Sequence, residues 1–321
     1  MKIQYKQTSL IMDYWSSHPI ESELPKILIF HALTGNKNAN LWWKLDSLYS
    51  KYCCICFTIP SSAYHDSKYG FNIEEECEII YMALCQLKVY HLKAVIGGSL
   101  GGFFSLCFAQ KYPTIVDYCV CLAASAKCSD WLLCWNEVQR QALYMPNGLP
   151  LARMIAMLSY RSPKAFDAFG TSTCKNKLYH LNGDIDKSCT EEIDTSYIPV
   201  DAQQVPTPTT EYLDSPHSHA FASWSYLHYQ AYKFNSRFTK EDYLVLLDNM
   251  DRFTLKHKIQ IPVLSIGFNS DILFPSYQVK EIQSYCTHPS SHHITIDSDL
   301  GHDAFLVETN TFLPTILTFI K

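Results

Sequence analysis

The sequence predicts an α/β fold in which a mostly parallel sheet is covered by helices and interrupted by an inserted helical lid subdomain. Three observations lead there. Near-continuous apolar runs recur in the first part of the chain, as strands buried on both faces require. Stretches with helical apolar spacing separate them. From about 125 to 245, β-branched runs give way to helical segments before strand-like runs resume.

Taken in order, KILIF (26–30) is the first of these strands and CCICF (53–57) the second. NIEEECEIIYMALCQLK (72–88) begins with Asn72, has Glu75 three residues later and keeps its apolar positions at helical spacing, the pattern of a capped crossover helix. The strand KAVI (93–96), a helix from near Leu100 and the strand DYCVCL (117–122) follow. SDWLLCWNEVQRQALY (129–144) and LPLARMIAMLSYR (149–161) are helical and open the insertion. Its middle, roughly 170–215, is rich in Ser, Thr, Asp and Pro and is expected to form a long mobile loop. PVLSIGF (262–268) and HITI (293–296) return to the sheet, with a helix around 276–286 between them and a last helix from about 303. The expected division is a core of residues 1–128 and 246–321, with an inserted lid of residues 129–245.

Composition narrows the function. The 26 basic and 31 acidic residues give a net charge of −5 without long runs of either sign, which argues against a nucleic-acid or anionic-membrane surface. Small molecules are the expected partners. MKIQYKQTSLIMDYW lacks the apolar core and cleavage site of a secretory signal, and no apolar stretch of about 18 residues occurs, so a cytoplasmic protein is expected. The 13 cysteines fall mostly inside apolar runs, where a thiol behaves as a small buried hydrophobe. Cys53 and Cys56 make one C-x-x-C without a second pair, and HSH (217–219) and SHH (291–293) read as surface polar residues. No metal and no cofactor is expected.

Four of the chain's 11 glycines surround one serine in VIGGSLGG (95–102). A buried strand running through Gly97-Gly98-Ser99-Leu100-Gly101 into an apolar helix is the strand, sharp turn and helix of a nucleophile elbow. No Gly-Lys-Ser/Thr follows, as a phosphate loop would need, and the dinucleotide spacing is missing. A serine nucleophile needs a base and a group to orient it. FNSDILFP (268–275) and SDLGHDAF (298–305) each follow a predicted strand, which puts Asp271 and His302 in the order Ser, acid, His of an α/β-hydrolase. The oxyanion hole would then use the backbone N–H groups of Leu100, next to the nucleophile, and of Leu33 in HALTG (31–35), after the first strand.

HALTGN, GGSLGG, NEVQRQA, LARMIAMLSYR, YQAYKFNSRF, SDILFP and GHDAFLVE, in this order over about residues 27 to 310, resemble the homoserine O-acyltransferases of methionine biosynthesis, the MetX group of the α/β-hydrolase superfamily. The resemblance implies that Ser99 takes an acyl group from acyl-CoA, with acetyl-CoA the default donor on family frequency, releases CoA and passes the group to the hydroxyl of L-homoserine by a ping-pong route. By the same resemblance Arg153 and Tyr160, two turns apart on one helix face, hold the acceptor, with the guanidinium on its carboxylate. Asp303 would engage its amino group, and Asn136, Glu137, Gln139 and Arg140 would anchor the lid. Members of the family are dimers joined through their lids, so a homodimer is expected. The chain departs from the family in having Leu100 where methionine is usual. It also has a short segment, TIPSSAYHDSKYG (58–70), where a longer Gly-rich one is usual, which bears on acyl-donor fit. A succinyl donor, a serine acceptor, a plain esterase or thioesterase, and an inactive binding protein remain alternatives.

Overall fold

Strand side chains alternate between faces, and the central strands of this chain place apolar residues on both. The computed structural model describes residues 1–63, 70–168, 222–235 and 237–321. The expected mobile loop, the HSH triplet at 217–219 and part of the 58–70 segment lie outside the described residues.

The chain opens with β1 (Lys2–Tyr5) and β2 (Thr8–Ile11), an antiparallel hairpin separate from the main sheet. Next come β3 (Tyr14–Ser16), β4 (Lys26–Phe30), α1 (Ala39–Trp42), α2 (Asp46–Tyr49), β5 (Cys53–Phe57), α3 (Pro60–Ala63), α4 (Ile73–Gln86), β6 (Leu92–Gly98), α5 (Leu100–Lys111) and β7 (Val116–Leu122). The insertion then contributes α6 (Asp130–Leu143), α7 (Gly148–Tyr160), α8 (Pro163–Asp167), α9 (Ala222–Asn235) and α10 (Lys240–Asp251). β8 (Val263–Phe268), α11 (Ser276–Glu281), β9 (His292–Ile296), α12 (Ala304–Val307) and α13 (Thr309–Phe319) complete the chain. The seven-stranded sheet has the order β3-β5-β4-β6-β7-β8-β9 and is parallel except for β3, which pairs antiparallel with β5 at one edge.

The strands read as continuous apolar runs because both faces are covered. Leu28, Phe30, Ile55, Val95, Cys119 and Cys121 join one core with α4 and α5. Their neighbours Ile27, Ile29, Cys54, Cys56, Ile96 and Val120 join the other with α1, α2 and α13. Asn72 and Glu75 form the expected capping box on α4. β1 to β3 escape the apolar pattern because each is only three or four residues long and only partly buried. The helix expected from about 303 is broken into α12 and α13, at Glu308 with ψ 43°. Among the described residues no helix is long and apolar enough to cross a membrane.

Polar side chains fasten the insertion. Asn136 Nδ2 donates to Asp251 Oδ1 at 2.7 Å, Tyr243 Oη donates to Gln139 Oε1 at 2.5 Å, and Arg140 pairs with Asp251, so α6 is tied to α10. Glu137 is instead an exposed partner of Arg140. The α10 helix is tied in turn to the core, since buried Glu76 accepts from Asn249 Nδ2 at 2.6 Å and from the Ser61 N–H at 3.2 Å. Burial pushes the Glu76 carboxyl up to about 8.

Register decides where chemistry can happen. Phe30 pairs with Gly97, Gly98 with Leu122, Leu122 with Ile266 and Phe268 with Ile296, so β4, β6, β8 and β9 end along one sheet edge. The first turn of α5 reaches that edge only because Gly101 has no side chain: a Cβ there would lie 2.2 Å from the Phe30 carbonyl oxygen. Gly101→Ala should therefore lower unfolding free energy by about 1–3 kcal/mol or more. Urea denaturation followed by circular dichroism checks this, and an unchanged midpoint would contradict the packing.

Candidate active site

Ser99 sits between β6 and α5 with φ 57° and ψ −125°, a conformation costing a non-glycine residue about 1–3 kcal/mol. Its surroundings hold it there. The Ser99 N–H donates to the Leu122 carbonyl at 3.0 Å, and the Ser99 carbonyl accepts from the Gly102 N–H at 2.8 Å. A Cβ at Gly97 would lie 2.1 Å from the Gly101 oxygen, so the crossing of strand and helix tolerates no side chain on either side of the serine. Ser99 is 5% exposed, at the N-terminus of a 12-residue helix whose dipole favours negative charge.

Asp271 and His302 meet at the ends of β8 and β9. His302 Nδ1 donates to Asp271 Oδ2 at 2.7 Å, while Asp271 Oδ1 accepts from the Leu273 and Phe274 N–H groups at 2.8 and 2.9 Å. The carboxylate thus fixes the tautomer and leaves Nε2 as the basic nitrogen. The imidazole is walled by Phe274, Phe305 and Tyr160, with centroids 5.3, 5.2 and 5.7 Å away. Phe305 also touches the elbow, since a Cβ at Gly98 would lie 2.4 Å from its Cδ2. Among the described residues no hydrogen bond joins Ser99 Oγ to His302; such pairs are often looser before substrate arrives.

Leu33 occupies a tight turn closed by the Gly35 N–H donating to the Ala32 carbonyl at 2.9 Å, and its own N–H makes no hydrogen bond among the described residues. Leu100 is the first residue of α5, so its N–H has no intrahelical acceptor. The turn is pinned by His31, which the sequence did not single out. Its Nδ1 donates to the Ala32 carbonyl at 2.8 Å and its Nε2 accepts from the Ile59 N–H at 3.0 Å. Full burial pushes its pKa down to about 4.

Arg153 and Tyr160 lie on α7, and the Arg153 guanidinium is held 5.5 Å from the Tyr160 ring and 5.0 Å from the Phe234 ring. It is buried, and its Nε and Nη1 have no hydrogen-bond partner among the described residues. Asp303 adjoins His302, and burial raises its carboxyl while Arg161, His302 and Arg153 oppose that. Arg161 Nε lies 3.4 Å from Asp303 Oδ2. Arg161 was also missed, although Pro163 two residues on marks the helix end, where a side chain can turn back toward a loop. The site therefore combines a serine at a helix N-terminus, a carboxylate-oriented imidazole, two N–H groups on adjoining turns, a buried guanidinium with two nitrogens unpartnered among the described residues, and a carboxylate within its electrostatic reach. Such a set can form and resolve an acyl-serine. A cleft of about 590 Å³ between α4 and α10, lined by Asn72, Glu74, Asp248, Arg252 and Lys256, contains none of these residues.

The described cysteines are all free thiols, and those of β5 and β7 are buried. Among the described residues no group of three His, Cys, Asp or Glu side chains could hold a metal ion.

A family model for the alpha/beta hydrolase fold matches residues 25–309. A homoserine O-acetyltransferase of Chloroherpeton thalassium is 28% identical over 345 aligned positions, which cover 92% of this chain and 79% of that protein. The alignment is longer than this chain's 321 residues, so the relative carries segments that this chain lacks. Among solved structures, homoserine O-acetyltransferase from Staphylococcus aureus superposes with a TM-score of 0.69 at 22% identity, covering 97% of this chain and 87% of that one. An acetylester hydrolase from Corynebacterium glutamicum superposes with a TM-score of 0.68 at 13% identity, covering all of this chain and 93% of that one. The shared fold thus accommodates both transfer and hydrolysis.

The His31 environment has a consequence for pH. Its pKa falls from an ordinary value near 6.5 to about 4 on folding, so between those values the unfolded chain binds the extra proton. About 3 kcal/mol of stability present above pH 6.5 is lost as pH falls to 4. Urea midpoints of wild type and His31→Gln should converge on acidification, with the variant weaker at pH 7; parallel curves would contradict the buried neutral imidazole.

Proposed function

The chain belongs to the α/β-hydrolase family, and on that premise we propose that it is an acyl-CoA-dependent O-acyltransferase moving an acetyl group from acetyl-CoA to the hydroxyl of L-homoserine in methionine biosynthesis. The observation that carries this reading beyond the fold is Arg153. Its buried Nε and Nη1 have no acceptor among the described residues, an arrangement that is costly until an anion completes it. An α-carboxylate fits that position through two parallel hydrogen bonds, and the neighbouring Asp303 fits the α-ammonium. An ester hydrolase needs neither group. The likeness to homoserine O-acetyltransferases supports the same acceptor and favours acetyl over succinyl.

Catalysis runs in two halves. Ser99 Oγ attacks the thioester carbonyl carbon and gives its proton to His302 Nε2, while the Leu33 and Leu100 N–H groups receive the oxyanion. Collapse breaks the C–S bond, and CoA leaves as the thiol with the proton from His302. The homoserine hydroxyl then gives its proton to His302 and attacks the acetyl-serine, and Ser99 departs reprotonated. Neither half needs a metal or a cofactor beyond the two substrates. Free thiols throughout the described strands suit a reducing cytoplasm. Asn136, Gln139 and Arg140 serve this chemistry indirectly by anchoring the lid that keeps water from the acyl-enzyme.

CoA thiol release measured with and without L-homoserine, using acetyl-CoA and succinyl-CoA, and with L-serine as a second acceptor, tests the proposal. Acetyl-CoA with homoserine should be the fastest pair and Ser99→Ala should release nothing. Arg153→Ala should lose roughly ten- to a hundredfold in kcat/KM for homoserine while still forming acyl-enzyme. Thiol release indifferent to any amino acid would make water the acceptor and overturn the transferase.

The lid also exposes Leu133, Val138, Leu151 and Leu158 on α6 and α7, which supports a homodimer joined there. Sedimentation velocity should give a dimer for wild type and a monomer for the double variant Leu151→Glu, Leu158→Glu; a monomeric wild type would refute the interface.

A further inference from the structure

The C-terminal end of α7 is strapped to the loop that carries His302. Gly301 has φ 73°, and a Cβ there would lie 2.6 Å from the Ser162 nitrogen and 2.8 Å from the Arg161 carbonyl carbon, so the two backbones are in contact. The Ser162 hydroxyl donates to the Asp299 carbonyl, and Lys164 Nζ lies 2.7 Å from Asp299 Oδ2. Within this strap Arg161 Nε approaches Asp303 Oδ2 at 3.4 Å, with the two side chains only 14% and 17% exposed. The Arg161 guanidinium is also held 4.7 Å from the Tyr226 ring of α9.

Resting on the reading that Asp303 receives the acceptor's ammonium, we propose that Arg161 is a positioning residue for the acceptor, engaging one oxygen of Asp303 so that the other is presented to the amino group. At 3.4 Å the guanidinium attracts one carboxylate oxygen as an ion pair, and turning the carboxylate weakens that pair, so the other oxygen is favoured for the amino group. The groups facing Asp303 are Arg153 and Tyr160 from α7, Arg161 just past its end, Tyr226 from α9 and the adjacent His302. Burial favours the neutral carboxyl, and Arg161 is the first of the cations that oppose it. An ammonium binds the carboxylate form, so Arg161 keeps the subsite charged as well as aligned. Because Arg161 belongs to the lid and Asp303 to the histidine loop, the same pair couples lid placement to the triad.

The test uses the full chain as wild type, Arg161→Met, Arg161→Lys and Asp303→Asn, with two readouts: homoserine KM and kcat, and acetyl-enzyme formed from acetyl-CoA alone. Arg161→Met should raise homoserine KM roughly tenfold or more, increasingly so as pH falls, while acetyl-enzyme forms at near the wild-type rate. Arg161→Lys, which keeps the charge, should recover part of the loss and removes the objection that Met merely unfolds the strap. An unchanged, pH-flat KM in Arg161→Met overturns the proposal, as does equal loss of acetyl-enzyme formation in both Arg161 variants. Should wild-type turnover prove independent of homoserine, the acceptor reading fails on its own. The carbon-13 carboxyl titration of Asp303, assigned by its loss in Asp303→Asn, still decides whether Arg161 acts on that group. An upward shift in Arg161→Met supports the pairing, and an unmoved titration overturns it.

Discussion

The close crossing of α5 over the ends of β4 and β6 is the constraint on which the rest of the site depends. It is possible only with Gly97 and Gly101 on either side of the turn, and it holds Ser99 in a conformation that an unconstrained serine would leave. The backbone hydrogen bonds of Ser99 to β7 and to the first turn of α5 supply the opposing force. Once the crossing is fixed, the helix N-terminus, the Leu100 N–H and the turn after β4 all adjoin one point on the sheet edge. The acid and the histidine are brought to the same edge by the parallel register, since β8 and β9 end there two residues beyond the level of Gly98.

Electrostatics around that point divide into two halves. The His302–Asp271 pair is satisfied within the protein, with both carboxylate oxygens occupied by donors. The Arg153 Nε and Nη1 have no partner among the described residues, although the guanidinium lies among aromatic rings where desolvation is severe. A site that satisfies its imidazole and its orienting carboxylate internally, and leaves a buried guanidinium with two unpartnered nitrogens among the described residues, is arranged for a substrate that brings an anion. Asp303 beside it adds the opposite charge that a zwitterion requires.

Much of this was legible in the sequence, for identifiable reasons. Buried parallel strands announce themselves as apolar runs. Glycines gathered around a lone serine, in a chain so poor in glycine, mark a place where two backbones cross too closely for side chains. Asp271 and His302 could be picked out because each follows a strand directly. The hairpin β1–β2 and the edge strand β3 were invisible, since strands this short and exposed have no apolar signature. His31 and Arg161 were invisible for a different reason. Their importance lies in which partners they meet, Ile59 for one and Asp303 for the other, and such contacts between separate segments leave no local pattern.

The fold alone leaves the fate of an acyl-serine open, because esterases and acyltransferases share it. What separates them is whether an amino-acid hydroxyl or water reaches the acyl group, and in the proposed function the charged pair Arg153 and Asp303 would select the former. All of that rests on Ser99 becoming acylated. The most direct test is mass spectrometry of the protein after brief exposure to acetyl-CoA without acceptor, with the modified peptide sequenced. The account predicts one acetyl group, on Ser99, that disappears when L-homoserine is added. An acetyl group on another residue, or an unmodified Ser99 in a protein that still transfers acetyl, would contradict it.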